Sequence, residues 1–596
     1  MQYLLISLLT INSVFFSDVK IDDLFWNSIL QRHRETTLDV CIDQIEQQTG
    51  RIRNFDAVAN GGSVHSGIYF DDSDVYKALE GMAYSLCLYP DSRLEQKCDE
   101  WIDKIARAQR PDGYLNTYYT ITGLQNRWTD MDMHEMYCAG HLIEGAVAYY
   151  QATGKRKLLD VAIRLADHIL TEFGPGKRHW VPGHEEIELA LVKLYKQTGD
   201  KRYLDGAKWL LEERGHGYGR NSDDRQWDKV YHQDDMPVKD MHDIGGHAVR
   251  AMYLYCGMAD VAACTQSKDY INALTTLWED VVLRNMYITG GIGSSRHNEG
   301  FTKDYDLPNK EAYCETCASV GMVLWNWRMN QMSGDAKYID ILERSLYNGV
   351  LAGYSLRGDK FFYVNPLESD GGHHRQSWYG CACCPSQICR FIPSVGNYIY
   401  GKTDDAFFVN LFVGSSTTLS EKDNAVIHQT TGYPWNGDVN LSIQTDKRFS
   451  KAICLRIPQW CHSYRITVNN RPIKVKTENG YAIISRKWKN GDTISLSLDM
   501  PVELVFADSQ VSENKGKCAI QRGPIVYCME EQDNSHCYDN TQISRSTTIS
   551  HEFRYDMLNG VEIIKTNDGT VFVPYYSWDN RKPCRMKVWL PYNTSR

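Results

Sequence analysis

The chain is predicted to be a multidomain α and β protein, an (α/α)6 barrel followed by β-sandwich domains. Two observations predict it. A degenerate helix-pair motif recurs through the first two-thirds of the chain, and after Tyr400 the texture changes to short strand-like runs between turn signals. At 596 residues the chain is also too long for one core, so two to four domains are expected.

The helical motif comes first. Tyr150 to Asp160 reads Tyr-Gln-Ala-Thr-Gly-Lys-Arg-Lys-Leu-Leu-Asp, and Tyr195 to Asp205 reads Tyr-Lys-Gln-Thr-Gly-Asp-Lys-Arg-Tyr-Leu-Asp. Thr265 to Ile271 and Ser333 to Asp340 repeat the idea, and Tyr89 to Leu94 is a weaker copy. In each, one helix ends near a Gly or polar pair and a new apolar-periodic helix begins. Copies at intervals of about 45 to 70 residues imply stacked helical hairpins, and six pairs closed into a ring would use roughly 400 residues. An open solenoid is the alternative. The many non-repeating loops, some Gly-rich, favour a ring with a decorated active-site face.

The strand-like runs follow. They include Ala406 to Val413, Val439 to Ile443, Ala452 to Ile457 and Asp492 to Leu498, with Asn436-Gly437, Asn479-Gly480 and Asn490-Gly491 as turns. Short strands at this spacing predict a β-sandwich. A further β-rich region runs from about Val511 to the end. The expected division is a candidate signal peptide over 1–20, a helical catalytic domain over 21–405, a β-sandwich over 406–505 and a C-terminal β-sandwich over 506–596.

Composition narrows the function. Hydrophobic content of 42% and charged content of 23% are ordinary for a globular protein. The net charge is −10 and no basic block stands out, so nucleic acid is not an expected partner. No later segment reaches the roughly 18 uninterrupted apolar residues of a membrane helix. The N-terminus, Met1-Gln2-Tyr3-Leu4-Leu5-Ile6-Ser7-Leu8-Leu9-Thr10 and on to Ser17, suits a secretory segment, although no Lys or Arg precedes it. Export to the periplasm or outside the cell, with removal of roughly the first 17 to 20 residues, is the expectation; a cytoplasmic protein with a buried first element is the alternative.

Eighteen cysteines are many for such a chain, and five of them fall in two short segments. One is Tyr313-Cys314-Glu315-Thr316-Cys317-Ala318-Ser319; the other is Gly380-Cys381-Ala382-Cys383-Cys384-Pro385. Five thiols and a carboxylate suit a soft metal such as zinc better than they suit scattered buried cysteines. Four cysteines alone would make a closed, inert site. A carboxylate among thiolates could leave one thiolate reactive toward carbon, given an acid to protonate the leaving group. Glu299, in the Gly-flanked loop Gly290 to Phe301, is a candidate acid, though from its local sequence a solvated loop carboxylate is the plainer reading. His134, His184 and His247 each fall near a helix start, where equivalent positions of a helical ring face one cavity.

Taken together, the segments Tyr313 to Ser319, Gly380 to Pro385, the Glu299 loop and Asp304-Tyr305-Asp306-Leu307-Pro308-Asn309 resemble glycoside hydrolase family 127, the β-L-arabinofuranosidase family. The resemblance extends from Asp71-Asp72-Ser73-Asp74-Val75-Tyr76-Lys77 to Val573-Pro574-Tyr575-Tyr576-Ser577-Trp578, nearly the whole chain. It implies an (α/α)6 barrel followed by β-sandwich domains. It implies zinc held by Glu315, Cys317, Cys383 and Cys384, with Cys383 as nucleophile and Glu299 as general acid/base. It implies that His134, His184 and His247 hold the sugar, with Tyr363 nearby. Cys314 and Cys381 receive no ligand role from it, and either could join the metal. The implied reaction is retaining, exo-acting release of β-L-arabinofuranose from plant-type glycans. One rival keeps the chemistry on another furanoside, such as aceric acid of pectin. A second is a noncatalytic sugar-binding protein with structural zinc, against which the presence of both Cys383 and Glu299 argues. The sequence carries no sign of oligomeric state.

Overall fold

The structure, a computed structural model, describes residues 11–221 and 228–594. The first ten residues of the candidate signal peptide lie outside the described residues. The chain builds a helical N-terminal domain followed by sheet-rich domains.

Six helices line the middle of the helical domain: Asp72–Leu88, Glu135–Thr153, Ile187–Thr198, Ala248–Thr265, Thr316–Ser333 and Cys383–Phe391. Each packs on the next, and the last returns to pack on the first. They are buried nearly all round. The alternate helices, such as Ser92–Ala108, Lys157–Glu172, Lys201–Glu212 and Lys268–Asp280, bury one stripe only and form an outer layer. The backbones approach closely at the seams: a Cβ on Gly81 would stand 2.5 Å from the Cys389 carbonyl oxygen.

The repeated motif is the turn from inner to outer helix. Gly154, Gly199 and Gly334 close their helices in the left-handed conformation, with φ of 72°, 76° and 67°. Asp200 and Ser267 then cap the outer helices by accepting from the amides of Arg202 and Tyr270. Asp91 does the same for the helix after the weaker copy, accepting from the amides of Arg93 and Leu94.

Beyond the helices lie two sheets. One joins Asn12–Ser13, Tyr400–Lys402, Ala406–Val409, Phe449–Arg456, Tyr481–Trp488 and Lys476–Glu478 in that order. The other runs from Arg471–Pro472 through Tyr464–Val468, Thr493–Leu498, Asp438–Gln444, Ala425–Thr431 and Ser415–Ser420 to Lys20–Ile21. Strict alternation of burial along Asp438–Gln444 gives each strand one core face. Asn479 and Gly480, with φ of 48° and 76°, make the expected hairpin turn. Residues 11–21 therefore belong with these sheets. Ile11, Val14 and Phe16 are buried, and Phe16 N donates to Asn397 Oδ1 at 3.0 Å.

The C-terminal strands form a third, branched sheet, from Ile543–Ser544 through Lys517–Arg522 and Ile525–Glu530 to Ile549–Arg554. Its strand Met586–Lys587 also pairs with Glu368–Ser369 of the helical domain. Nearby, Asp579 accepts from Arg375 N at 2.9 Å and contacts His374 Nδ1 at 2.7 Å. The last domain thus braces the loop that leads to Cys381. Arg456, fully buried, ties the middle domain to the helices through Asp340 at 2.7 Å and through Glu343.

Candidate active site

Two helix N-termini create the sulfur cluster. Cys383 and Cys384 open the helix Cys383–Phe391, and Glu315 and Cys317 sit at the start of Thr316–Ser333. The positive end of a helix favours a thiolate or carboxylate there. Cys383 Sγ lies 3.4 Å from Glu315 Oε1 and 3.8 Å from Cys384 Sγ. Cys384 Sγ lies 3.4 Å from Cys317 Sγ and 3.5 Å from Glu315 Oε1. The four donor atoms fall within 4.8 Å of one another. No disulfide joins them.

These residues fit a bound cation. Glu315 is buried, and its Oε2 has no hydrogen-bond partner. Burial, and the neighbouring Cys383, push its carboxyl well above the usual range, a cost that a cation would remove. Burial likewise pushes the Cys384 thiol up, whereas at Cys317 the contacts with Cys383 and Cys384 outweigh burial and bring it to about 7. Two sulfurs each about 2.3 Å from a tetrahedral ion stand about 3.8 Å apart, close to the separations here. Cys381 is outside this group; its Sγ lies 3.6 Å from the Tyr363 hydroxyl. Cys314 is also outside it, buried with a strained φ of 37°.

Tyr363 is held over the cluster because Thr316 pins its segment: Thr316 N donates to Tyr363 O at 2.9 Å and Thr316 Oγ1 to Phe362 O at 2.7 Å. Its hydroxyl then lies 3.0 Å from Cys383 Sγ.

Glu299 faces the cluster from the other side, within 4.8 Å of Glu315 and His247 by their donor atoms. Its backbone is left-handed, with φ of 51°, and the loop is stitched to the start of the preceding inner helix, Ala248–Thr265. Ala248 N donates to Glu299 O at 3.1 Å and Phe301 N to Gly246 O at 2.9 Å. Tyr313 donates its hydroxyl to Glu299 Oε2 at 3.0 Å, and His247 Nε2 stands 3.6 Å from the same oxygen. Burial would raise the Glu299 pKa, but His247, Tyr313 and Arg250 outweigh it and hold the carboxyl at about 2.

The three histidines form a row, with ring centroids 5.4 Å apart from His134 to His184 and 5.7 Å from His184 to His247. Burial keeps all three neutral, and their partners assign the tautomers. Nδ1 of His134 faces the Asp132 carbonyl and Nδ1 of His184 faces the Glu185 carbonyl at 2.9 Å, so both carry the proton there and present Nε2 as an acceptor. Nδ1 of His247 accepts from Val249 N at 3.1 Å, so its Nε2–H is a donor aimed at Glu299. Acceptors and a donor in one row suit sugar hydroxyls.

Glu299, Glu315, Cys317, Cys383, Cys384, Tyr363, His134, His184 and His247 form one chain of neighbours, and Cys314 and Cys381 stand beside the sulfur group without joining it. The sequence assigned no role to Tyr313, which donates to Glu299, to Lys77, which donates to Tyr137 OH at 3.1 Å, or to the buried pair Asp132 and Arg250. Only Tyr313 had a signal, as the neighbour of a cysteine cluster.

A buried thiol cluster, a facing carboxylate and a row of neutral imidazoles at the mouth of a helical domain define a carbohydrate-active enzyme. The family models for the β-L-arabinofuranosidase GH127 catalytic domain, middle domain and family 127 C-terminal domain match residues 18–397, 406–500 and 502–591. The chain belongs to glycoside hydrolase family 127, and it is a glycoside hydrolase. It is similar to the non-reducing end β-L-arabinofuranosidase of Bifidobacterium longum subsp. longum, with 38% identity over 591 residues, covering 88% of this chain and 89% of the relative. Among solved structures it resembles a GH127 β-arabinofuranosidase at 40% identity and TM-score 0.93, covering 98% of both chains. It also resembles a GH127 β-L-arabinofuranosidase from Geobacillus stearothermophilus T6 at 40% identity and TM-score 0.93, covering 96% of this chain and all of that one.

Proposed function

We propose that the protein is a retaining exo-β-L-arabinofuranosidase acting on arabinofuranose-containing plant-type glycans, with Cys383 as nucleophile. One observation carries this: Cys383 and Glu299 both stand against Glu315, with Cys383 Sγ 3.4 Å from it and the Glu299 carboxylate within 4.8 Å. The near-full-length likeness to β-L-arabinofuranosidases supports the sugar. So does the pairing of the nearby cations Lys77 and Arg250 with Asp74 and Asp132, which favours a neutral ring over an acidic one.

In the mechanism, His134, His184 and His247 hold the sugar hydroxyls. Cys383 Sγ attacks the anomeric carbon as Glu299 gives its proton to the departing oxygen, leaving a thioglycosyl group on Cys383. Glu299, now a carboxylate, takes a proton from water, which displaces the sulfur with net retention. In the sugar-free site Glu299 is already in that second form. Its side chain is still 33% exposed, and a sugar covering it adds desolvation that moves it toward the protonated form. Glu315, Cys317, Cys383 and Cys384 would hold zinc, which when bound keeps the nucleophilic sulfur a thiolate.

We read the helical domain as an (α/α)6 barrel, a reading supported by the cyclic packing of its six inner helices. The division into catalytic, middle and C-terminal domains near residues 405 and 505 is proposed on the same footing. Among the described residues no helix is long and apolar enough to cross a membrane. Export is proposed on the apolar N-terminus alone, with cell fractionation as its test.

The test of function is hydrolysis of nitrophenyl furanosides with the anomer of the first product followed by NMR. Cys383→Ser should abolish turnover, and Glu299→Gln should accumulate one sugar-sized mass on the peptide Gly380–Arg390. A serine variant that stays active and yields inverted product would overturn the assignment.

A further inference from the structure

We propose that Arg250 is the positioning residue that locks the three histidine segments into a single sugar cradle. The inference deepens the proposed role of His134, His184 and His247 as sugar contacts. Arg250 stands in the first turn of Ala248–Thr265, with 4% of its surface exposed, and its side-chain hydrogen bonds go to Asp132 and Gly183. Its Nη1 donates to Asp132 Oδ1 at 3.3 Å and to the Gly183 carbonyl. The Asp132 carbonyl in turn receives His134 Nδ1–H, and Gly183 directly precedes His184. Its guanidinium lies 4.6 Å over the Tyr231 ring, whose centroid is 5.6 Å from that of His247. Its own backbone N–H reaches His247 Nδ1 at 3.4 Å. One residue therefore touches three segments that are about fifty residues apart in the chain.

The chemistry explains why arginine stands there. Both bonds use the two hydrogens of Nη1, whose directions the planar guanidinium fixes while its face lies on the Tyr231 ring, whereas an ammonium is a freely rotating donor on a flexible stem with no face to stack. His232 Nε2, 2.7 Å from the same Asp132 oxygen, fixes the carboxylate that receives it. The buried positive charge also opposes protonation of the adjacent imidazoles, which keeps their acceptor nitrogens free.

The test compares wild type, Arg250→Lys and Arg250→Met without sugar. Each is treated with diethyl pyrocarbonate, and modification of every histidine is followed by peptide mass spectrometry, with thermal unfolding alongside. His134 and His184 should react several-fold faster in both variants. His247 should change least, because its cap is a backbone N–H that substitution keeps. The exposed His428 of the middle domain should be unchanged. KM for a nitrophenyl furanoside should rise about tenfold, the worth of one charged hydrogen bond, with a smaller change in kcat. A folded variant whose His134 and His184 react at wild-type rates overturns the proposal. So does acceleration spread over all histidines, or loss of fold in both variants, since each makes Arg250 a residue of general stability. The labelling needs no substrate: faster labelling with unchanged KM would refute the sugar reading and leave the lock standing.

Discussion

Gly300→Ala is expected to disable the enzyme without touching a reacting group. Gly300 sits beside Glu299, and its backbone passes directly under Gly246, next to His247. A Cβ at Gly300 would lie 1.8 Å from the Gly246 carbonyl oxygen and 2.9 Å from Ala248 N. The oxygen would have to retreat at least 1.2 Å to reach even the 3.0 Å limit of real contacts. That shift breaks the hydrogen bond from Phe301 N to Gly246 O, 2.9 Å long, and strains the one from Ala248 N to Glu299 O, 3.1 Å long. It also pulls Glu299 away from His247. Two backbone bonds at about 1 kcal/mol each, with overpacking of about 1–3 kcal/mol, give a loss of about 3–5 kcal/mol. A displacement of about 1 Å at the acid/base lowers turnover roughly a hundredfold. The assay is kcat on a nitrophenyl furanoside with thermal unfolding of the same preparation. Gly300→Ala with wild-type kcat and Tm would refute the claim that this crossing sets the Glu299 position.

Three further expectations follow from other parts of the molecule. Purified protein should hold about one zinc per chain, and Cys317→Ala should lose it together with activity; a fully active wild type free of zinc would contradict this. Burial raises Glu135 to about 8 from 4.5, so its neutral form carries stability that is whole below about 4.5 and lost as pH climbs through about 8. Glu135→Gln, still able to meet Tyr114 OH and Trp128 N, should flatten the fall in Tm between those limits, and an unchanged slope would count against it. Deleting residues 1–17 removes the buried Ile11, Val14 and Phe16, at about 1.5–3 kcal/mol each, so the truncated protein should unfold at markedly lower temperature. N-terminal sequencing of protein from its native source decides between removal of the apolar segment on export and its retention in the sheets, and a mature chain that begins after Phe16 must fold without these three side chains.

The sequence by itself determined whatever rests on local chemistry. The Gly-then-Asp or Ser turns announced the helix pairs, because a left-handed Gly and an N-cap act within a few residues of their own position. The thiol clusters announced a candidate metal site, because its donors sit one or two residues apart at two helix starts. Short strand-like runs separated by turns such as Asn479-Gly480 announced the sheets. Tertiary structure alone decided the rest. Strands of two residues at Asn12–Ser13 and Lys20–Ile21 carry no periodicity, and their partners lie nearly 400 residues away. Glu299 is an ordinary loop carboxylate until the chain closes and sets Tyr313 and His247 on it. Arg250 is one more polar residue in a helix start until Asp132 and Gly183 meet it. Contacts of this kind are set by which distant segments come to share one buried volume, and no short-range pattern in the chain encodes that.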